Sequence, residues 1–124
     1  MSDNTSPTCE WEMWNRQLES TLIALALPAD TQAALLDGSN LPVDELALAF
    51  DDAYRGWLLQ SRSRVPDAEI QLVGEINDML DQMSGPENAA LWTREALSSD
   101  VRWQEVRHVA GQIVVKRLID QRRK

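Results

Sequence analysis

The sequence has few of the residues on which enzymes and metal sites most often depend. It contains one cysteine, Cys9, and one histidine, His108. A single cysteine cannot form an internal disulfide, and Cys9 has no CxxC or Cys/His companion. His108 has no ExxH pairing, so a zinc or di-iron site of the helix-bundle type would have too few nitrogen ligands. Five scattered glycines form neither the GxGxxG nor the GxxxxGK[ST] phosphate-binding loop. We therefore expect no enzyme activity, no metal and no cofactor.

Long hydrophobic runs are also missing. The longest apolar stretch, from Leu22 to Leu27, is far shorter than the roughly 20 residues that a membrane-spanning helix needs. No basic segment followed by an apolar one marks a signal peptide. We expect a cytoplasmic protein that does not act on membranes, and no small-molecule ligand is indicated.

The residues that are present predict a helical protein. The chain has 124 residues, of which 44% are hydrophobic and 26% charged, which is ordinary for one globular domain. No segment alternates apolar and polar residues over the length of a strand, whereas apolar residues recur at three- and four-residue spacing. We predict a single all-α domain over residues 1–124, a compact bundle of about five to six helices, with a frayed start (1–7) and a basic tail (120–124).

Proline, glycine and capping residues set the predicted helix boundaries. The breaks fall at Pro28, Pro42, Pro66 and the Ser84–Pro86 turn. They predict helices over 9–26, 29–36, 42–60 and 66–83, followed by short helical turns over 87–97. A last helix is predicted to begin after a cap at residue 99 or 100 and to run to about residue 119.

Five tryptophans are many for a chain of this length. Trp14, Trp57 and Trp103 lie on the apolar stripes of predicted helices, and we expect them in the core. Trp11, near the start of the chain, and Trp92, in the broken segment, are expected to be more exposed. Base stacking by these two would require basic neighbours, and their surroundings are mainly acidic.

The most informative feature is the distribution of charge. Residues 1–90 carry sixteen acidic and four basic residues, whereas residues 91–124 carry four acidic and eight basic ones, and the net charge is −8. Such a field attracts a basic partner and repels nucleic acid phosphate. The basic positions 116–117 and 122–124 fall in the last turns of a predicted helix, where cations favour the helix dipole. We expect no nucleic acid partner.

The acidic residues of the third and fourth predicted helices are the candidate binding residues. Acidic pairs seven residues apart return to nearly the same face of a helix, and the fourth helix is predicted to carry further acids on its surface, Glu69 among them. A calcium loop with its central glycine is absent, which disfavours a metal site. The remaining alternatives are a solvated face and a protein-binding face. The candidate residues for protein binding are Asp44, Glu45, Asp51, Asp52, Glu75, Asp78 and Asp81.

Four segments resemble a known class of proteins: residues 44–54 (DELALAFDDAY), 74–84 (GEINDMLDQMS), 91–97 (LWTREAL) and 103–107 (WQEVR). Together they resemble small, acidic, helical bacterial immunity proteins of contact-dependent growth inhibition and other polymorphic toxin systems. This resemblance covers roughly residues 41–110. It implies a cytoplasmic protein that binds and neutralises the C-terminal domain of a cognate toxin, commonly a basic nuclease, without chemistry of its own.

Two other functions are compatible with the sequence. A non-catalytic adaptor or oligomerisation module would make contact through exposed apolar side chains rather than acids. An enzyme or regulator with an unrecognised carboxylate site would be stabilised by a divalent metal or small ligand.

Overall fold

The computed structural model describes residues 7–122, which form six α-helices and one 3₁₀ helix. The helices are α1 (Pro7–Ala26), α2 (Ala29–Gly38), α3 (Asp44–Ser61), α4 (Asp67–Gln82), the 3₁₀ helix Pro86–Trp92, α5 (Arg94–Ser99) and α6 (Val101–Arg122). No strand occurs among these residues, and the predicted all-α bundle is confirmed. Residues 1–6 of the predicted frayed start and residues 123–124 of the predicted basic tail lie outside the described residues.

The helices begin and end close to the predicted breaks, for identifiable local reasons. Gly85 adopts φ 109° after α4, a conformation that residues with a Cβ rarely adopt. Thr93 caps α5 by accepting a hydrogen bond from the Ala96 amide at 3.1 Å. The Asp100 side chain accepts one from the Arg102 amide at the start of α6 at 2.9 Å. The last helix runs three residues beyond its predicted end, to Arg122.

The core lies where α1, α3, α4 and α6 meet. α1 packs most extensively on α3 and α6, while α4 packs on α6 and α3. Trp57 and Trp103 are fully buried, as predicted. Trp14, also predicted to lie in the core, is only half-buried, and its indole ring lies against α3 at Gly56. Within the described residues, no helix combines the length and apolar character that a bilayer crossing requires.

Trp11 and Trp92 are half-buried and thus more exposed than Trp57 and Trp103, as predicted, although both pack against the core. The Trp11 ring lies 6.2 Å from the Trp57 ring, and the guanidinium of Arg64 lies over it at 5.6 Å. Trp92 meets the buried Trp103 edge-on at a centroid distance of 5.3 Å. Aromatic pairs of these geometries stabilise a fold beyond their buried area.

One polar network crosses the interior, and it corrects one prediction. Glu69 was expected on the surface of the fourth helix, and Arg117 was noted only as part of the basic last turns of the final helix. Both are buried, and Arg117 Nη2 donates to Glu69 Oε2 at 3.0 Å and to Asn15 Oδ1 at 3.1 Å. Arg117 also pairs with Glu19 at 3.3 Å, and Asn15 Oδ1 accepts a further hydrogen bond from Trp57 Nε1 at 2.9 Å. A buried charge requires a partner, and Arg117 of α6 finds its partners on α1 and α4. Through Asn15 and Trp57 the network also reaches α3, so that it joins all four core helices.

A second buried polar side chain joins α2 to its neighbours. Gln32 is fully buried, and its Nε2 donates to the carbonyls of Ala24 and Leu25 in the last turn of α1 at 2.9 and 3.1 Å. Its Oε1 accepts from Arg107 of α6 at 2.8 Å. Gln32 thereby satisfies carbonyl groups that the end of α1 leaves without helical partners.

Candidate functional site

A cleft lies between the first half of α3 and the end of α4, closed on one side by the 3₁₀ helix. Its larger part, about 470 Å³, extends from Ala47 and Leu48 to Ser84 and the 3₁₀ helix. A smaller part, about 170 Å³, shares those three residues and continues along α3 and α4. Because the two parts share a wall, we treat them as one surface and call it the acidic cleft. It is lined by Asp44, Ala47, Leu48, Phe50, Asp51, Asn77, Leu80, Asp81, Ser84, Gly85, Ala89 and Trp92.

Three of the seven predicted binding residues line the acidic cleft. Asp44 and Asp51 stand on α3, and Asp81 stands opposite them on α4. Asp51 also pairs with Arg55 one turn along α3, at 3.0 Å. That pair is exposed, and an exposed pair of this kind contributes about 0–1 kcal/mol. The carboxylate of Asp51 is therefore held only weakly by its own chain.

Asp78 lies near the same α3–α4 junction. The Tyr54 ring stacks on Phe50 at a centroid distance of 5.4 Å, and its hydroxyl lies beside Gly74 of α4. Partial burial of the hydroxyl, and then the negative charge of Asp78, raise the pKa of Tyr54 above its ordinary value. Because a charge shifts a pKa only at short range, Asp78 lies close to Tyr54. Asp78 therefore adds to the negative potential around the acidic cleft.

Glu45, Asp52 and Glu75 are not among the residues that line the acidic cleft. Consecutive residues of an α-helix are about 100° apart around its axis, so Glu45 and Asp52 lie on a different side of α3 from Asp44 and Asp51. That side also carries Gly56, which packs on α1. Glu75 is exposed, and by the same rotation it lies about 120° around α4 from Asp81. The structure thus divides the predicted acidic residues into cleft and non-cleft groups.

Two apolar side chains of the acidic cleft were not among the predicted binding residues. Leu48 is 59% exposed at the boundary between the two parts of the cleft. Trp92 lines the opposite wall and is half-buried, with its indole Nε1 donating to the Met83 carbonyl at 2.9 Å. A partly exposed indole with a satisfied polar group is typical of binding hot spots. The sequence gives only one sign that Leu48 could bind a partner: Leu48 is apolar but falls outside the buried stripe of its helix.

The turn that closes the acidic cleft is held by side-chain hydrogen bonds. Asn88 Nδ2 donates to the carbonyls of Gln82 and Ser84, at 3.2 and 3.1 Å. The Ser84 hydroxyl donates to the Leu80 carbonyl at 3.0 Å. These bonds occupy the carbonyl groups at the end of α4. The cleft wall that carries Trp92 is therefore fixed to α4 before any partner binds.

The side chains that line the acidic cleft suit recognition of a protein surface. Over residues 7–122, no group of three or more His, Cys, Asp or Glu side chains converges to hold a metal ion. Cys9 and His108 are both exposed, and neither lines the acidic cleft. What the cleft offers is three carboxylates around an exposed leucine and a tryptophan edge. That combination suits a partner surface with both basic and apolar side chains.

Comparison with known proteins identifies no relative: no protein-family model, no curated protein and no solved structure matches the chain.

Proposed function

We propose that this chain is an immunity-type protein, which binds and neutralises a basic protein domain through the acidic cleft and performs no catalysis. The proposal extends to the setting that the sequence resemblance implies, a bacterial cytoplasm in which the target is the C-terminal domain of a cognate toxin. The observation that carries the proposal is the acidic cleft itself. It combines the carboxylates of Asp44, Asp51 and Asp81 with an exposed apolar centre at Leu48.

The charges would act before and during contact. A net charge of −8 accelerates encounter with a cationic partner, and this effect falls as salt rises. At contact, Asp51 and Asp81, on opposite walls of the cleft, would form ion pairs with basic side chains of the partner. A nuclease presents such side chains where it binds phosphate, so occupation of the cleft by that surface would block the nuclease substrate.

The apolar residues would supply the part of the affinity that salt does not remove. Burial of apolar surface contributes about 25 cal/mol per Å², and an exposed leucine beside a half-buried tryptophan offers such surface at the centre of the carboxylates. The Trp92 side chain is already fixed by its hydrogen bond to the Met83 carbonyl. Little side-chain entropy would then be lost on binding.

Affinity capture from the native bacterium tests the proposal. A tagged chain should retain one basic protein domain at low salt and release it, or bind it more slowly, at high salt. The captured domain should lose its toxic activity when the chain is added. If the chain recovers only copies of itself at either salt concentration, the proposal is wrong.

Matched variants locate the contact. Asp81→Lys, in the cleft, should weaken binding of the captured domain by at least about tenfold, as reversal of a charge in a close interfacial pair does. Glu75→Lys makes the same change in net charge on the same helix, outside the cleft. It should alter the association rate but leave the dissociation rate nearly unchanged. Equal effects of the two substitutions would remove the cleft from the interface.

A further inference from the structure

The outward side of α3 carries charged and apolar residues in a regular order. Arg62 directly follows α3 and keeps helical backbone angles, so the order extends to it. The buried Leu46 and Trp57 lie about 140–160° around the helix from Asp44. Six residues, by contrast, fall within about 40° of Asp44, and we call them the α3 seam: Asp44, Leu48, Asp51, Arg55, Leu58 and Arg62.

The spacing of the α3 seam is that of helices that pack along a line. Consecutive seam residues are alternately four and three residues apart, which is the spacing of the contact positions in a coiled coil. The order is acid, leucine, acid, base, leucine, base. Read from the other end, each acid is replaced by a base, each base by an acid, and each leucine by a leucine. The seam is therefore complementary to itself when a second α3 lies antiparallel to it.

A two-fold axis at the middle of α3, near residue 53, brings the complementary residues together. A two-fold interface requires this reciprocity, since residue i meets residue j and j meets i. The three facing pairs, each present twice, are Asp44–Arg62, Leu48–Leu58 and Asp51–Arg55.

At the axis, an ion pair of each chain becomes part of a larger cluster. Asp51 accepts a hydrogen bond from Arg55 of its own chain at 3.0 Å, and both side chains are exposed. Two such pairs related by the axis place four charges of alternating sign around it. A network of this kind contributes more than an isolated exposed pair.

The end of α3 also fits the acidic cleft of a second copy. Leu59, beside Leu58, is 87% exposed, more than any other large apolar side chain among the described residues. In the antiparallel arrangement these two leucines cover Leu48 of the other copy, which is exposed in the cleft. Arg55 and Arg62 meet the cleft carboxylates on either side of it. The segment thus carries the two features that the cleft selects, basic side chains and apolar surface.

Repulsion between two acidic chains acts mainly at a distance. Each copy has a net charge of −8, but interactions between exposed charges are screened beyond about 8 Å at physiological salt. Asp52, on the flank of the seam, meets both Asp52 and Arg55 of the second copy and so adds little in either direction. The opposite charges of the seam therefore decide the local interaction.

From this complementarity we infer that the chain forms an antiparallel two-fold dimer through the α3 seam, in which residues 55–62 of each copy cover the acidic cleft of the other. The interface involves one helix per copy, and small interfaces are typical of weak, reversible association. The dimer does not depend on the proposed toxin binding. It adds a consequence to that proposal, since a partner that binds the cleft must displace the second copy.

Sedimentation equilibrium of the purified full-length chain alone, from low micromolar to submillimolar concentration, tests the dimer. The wild-type chain should pass from the mass of one chain to that of two. Leu59→Glu should weaken the dimer at least about tenfold, because it places a negative charge against the acidic cleft of the other copy. Leu35→Glu makes the same change at an exposed leucine of α2 and should dimerise as the wild-type chain does. A wild-type mass of one chain at every concentration, or equal loss in both variants, would overturn the inference.

Mixing two variants tests the antiparallel pairing. Asp44→Arg and Arg62→Asp should each weaken the dimer at least about tenfold, because each places like charges opposite one another at both ends of the interface. An equimolar mixture of the two variants restores opposite charges at both ends, and the mass of two chains should return. Within one chain the two positions are about 27 Å apart along the helix, so this recovery can come only from pairing between copies. A mixture that keeps the mass of one chain would refute the pairing.

The same experiments separate this inference from the proposed function. Leu59 does not line the acidic cleft, so Leu59→Glu should lose the dimer and still bind the captured basic domain. Failure to dimerise would leave the proposed toxin binding untouched, and failure to capture a toxin would leave the dimer untouched.

Discussion

Replacement of Gly56 by alanine tests how closely α1 and α3 pack. A Cβ atom at position 56 would overlap the indole ring of Trp14, meeting three of its ring atoms. Those atoms belong to the rigid bicyclic part of the side chain, so a small rotation cannot relieve the overlap. Either α1 moves away from α3 or Trp14 leaves its position on the core.

The expected cost combines two opposing effects. An extra methyl group in a closely packed contact costs about 1–3 kcal/mol. Alanine is also a better helix former than glycine by about 1 kcal/mol, which offsets part of this cost. Because three rigid ring atoms are struck, the packing cost should lie near the upper end of its range, and we expect Gly56→Ala to lower the free energy of unfolding by up to about 2 kcal/mol. The Gly111→Ala substitution isolates the second effect, because a Cβ atom at Gly111 meets nothing within 4 Å. It should stabilise the chain by about 1 kcal/mol.

Urea denaturation followed by tryptophan fluorescence measures both changes. The decisive comparison adds Trp14→Ala, which removes the ring that the new methyl group would strike. In that background Gly56→Ala should become neutral or stabilising, as Gly111→Ala is in the wild-type chain. If Gly56→Ala stabilises the wild-type chain to the same extent as Gly111→Ala, the close α1–α3 contact at Trp14 is refuted.

Two further predictions concern the interior and the acidic cleft. Glu69→Gln should lower the free energy of unfolding by about 3 kcal/mol, since it replaces the carboxylate that neutralises the buried Arg117 with an uncharged amide. The exposed Glu75→Gln should change it by less than about 0.5 kcal/mol in the same denaturation assay. Asp78→Asn should bring the pKa of Tyr54 back towards its ordinary value, as measured by ultraviolet absorbance of the phenolate. Because the folded-state pKa of Tyr54 is raised, its contribution to stability is complete below the unfolded pKa of about 10 and is lost as pH rises through the folded value. Stability that rises in that range would contradict this assignment.

The helices could be predicted because their signals are local. Pro28, Pro66 and the turn at Gly85 mark boundaries that the structure reproduces within a few residues. The buried residues of α1, Leu18, Leu22 and Leu25, recur at the three- and four-residue spacing from which the helices were predicted.

The polar interior could not be predicted, because its partners are far apart in sequence. Arg117 and Glu69 are separated by 48 residues, and Arg117 and Asn15 by 102. Each is charged or polar and lies in a segment that also has exposed charges. Helical spacing places Glu69, unlike Glu75, on the stripe of Val73, Ile76 and Leu80, but only the packing of α4 on α6 shows that Arg117 pairs with it.

The acidic cleft was predictable only in part. Helical rotation separates Asp44 and Asp51 from Glu45 and Asp52, but which pair faces a neighbouring helix depends on how α3 packs. Leu48 belongs to no amphipathic stripe, so its position in the cleft follows only from the approach of α4 and the 3₁₀ helix. Charge indicated the two helices that form the acidic cleft, whereas tertiary packing selected the residues that line it.

We propose that the acidic cleft, rather than net charge alone, binds a basic partner. The most direct test is a binding titration of the captured domain against the wild-type chain, Asp81→Lys and Glu75→Lys at physiological salt. We predict that the dissociation constant rises at least about tenfold for Asp81→Lys and rises much less for Glu75→Lys, where only the association rate falls. Equal dissociation constants for the two variants would contradict the claim and leave the acidic residues with a general role in solubility.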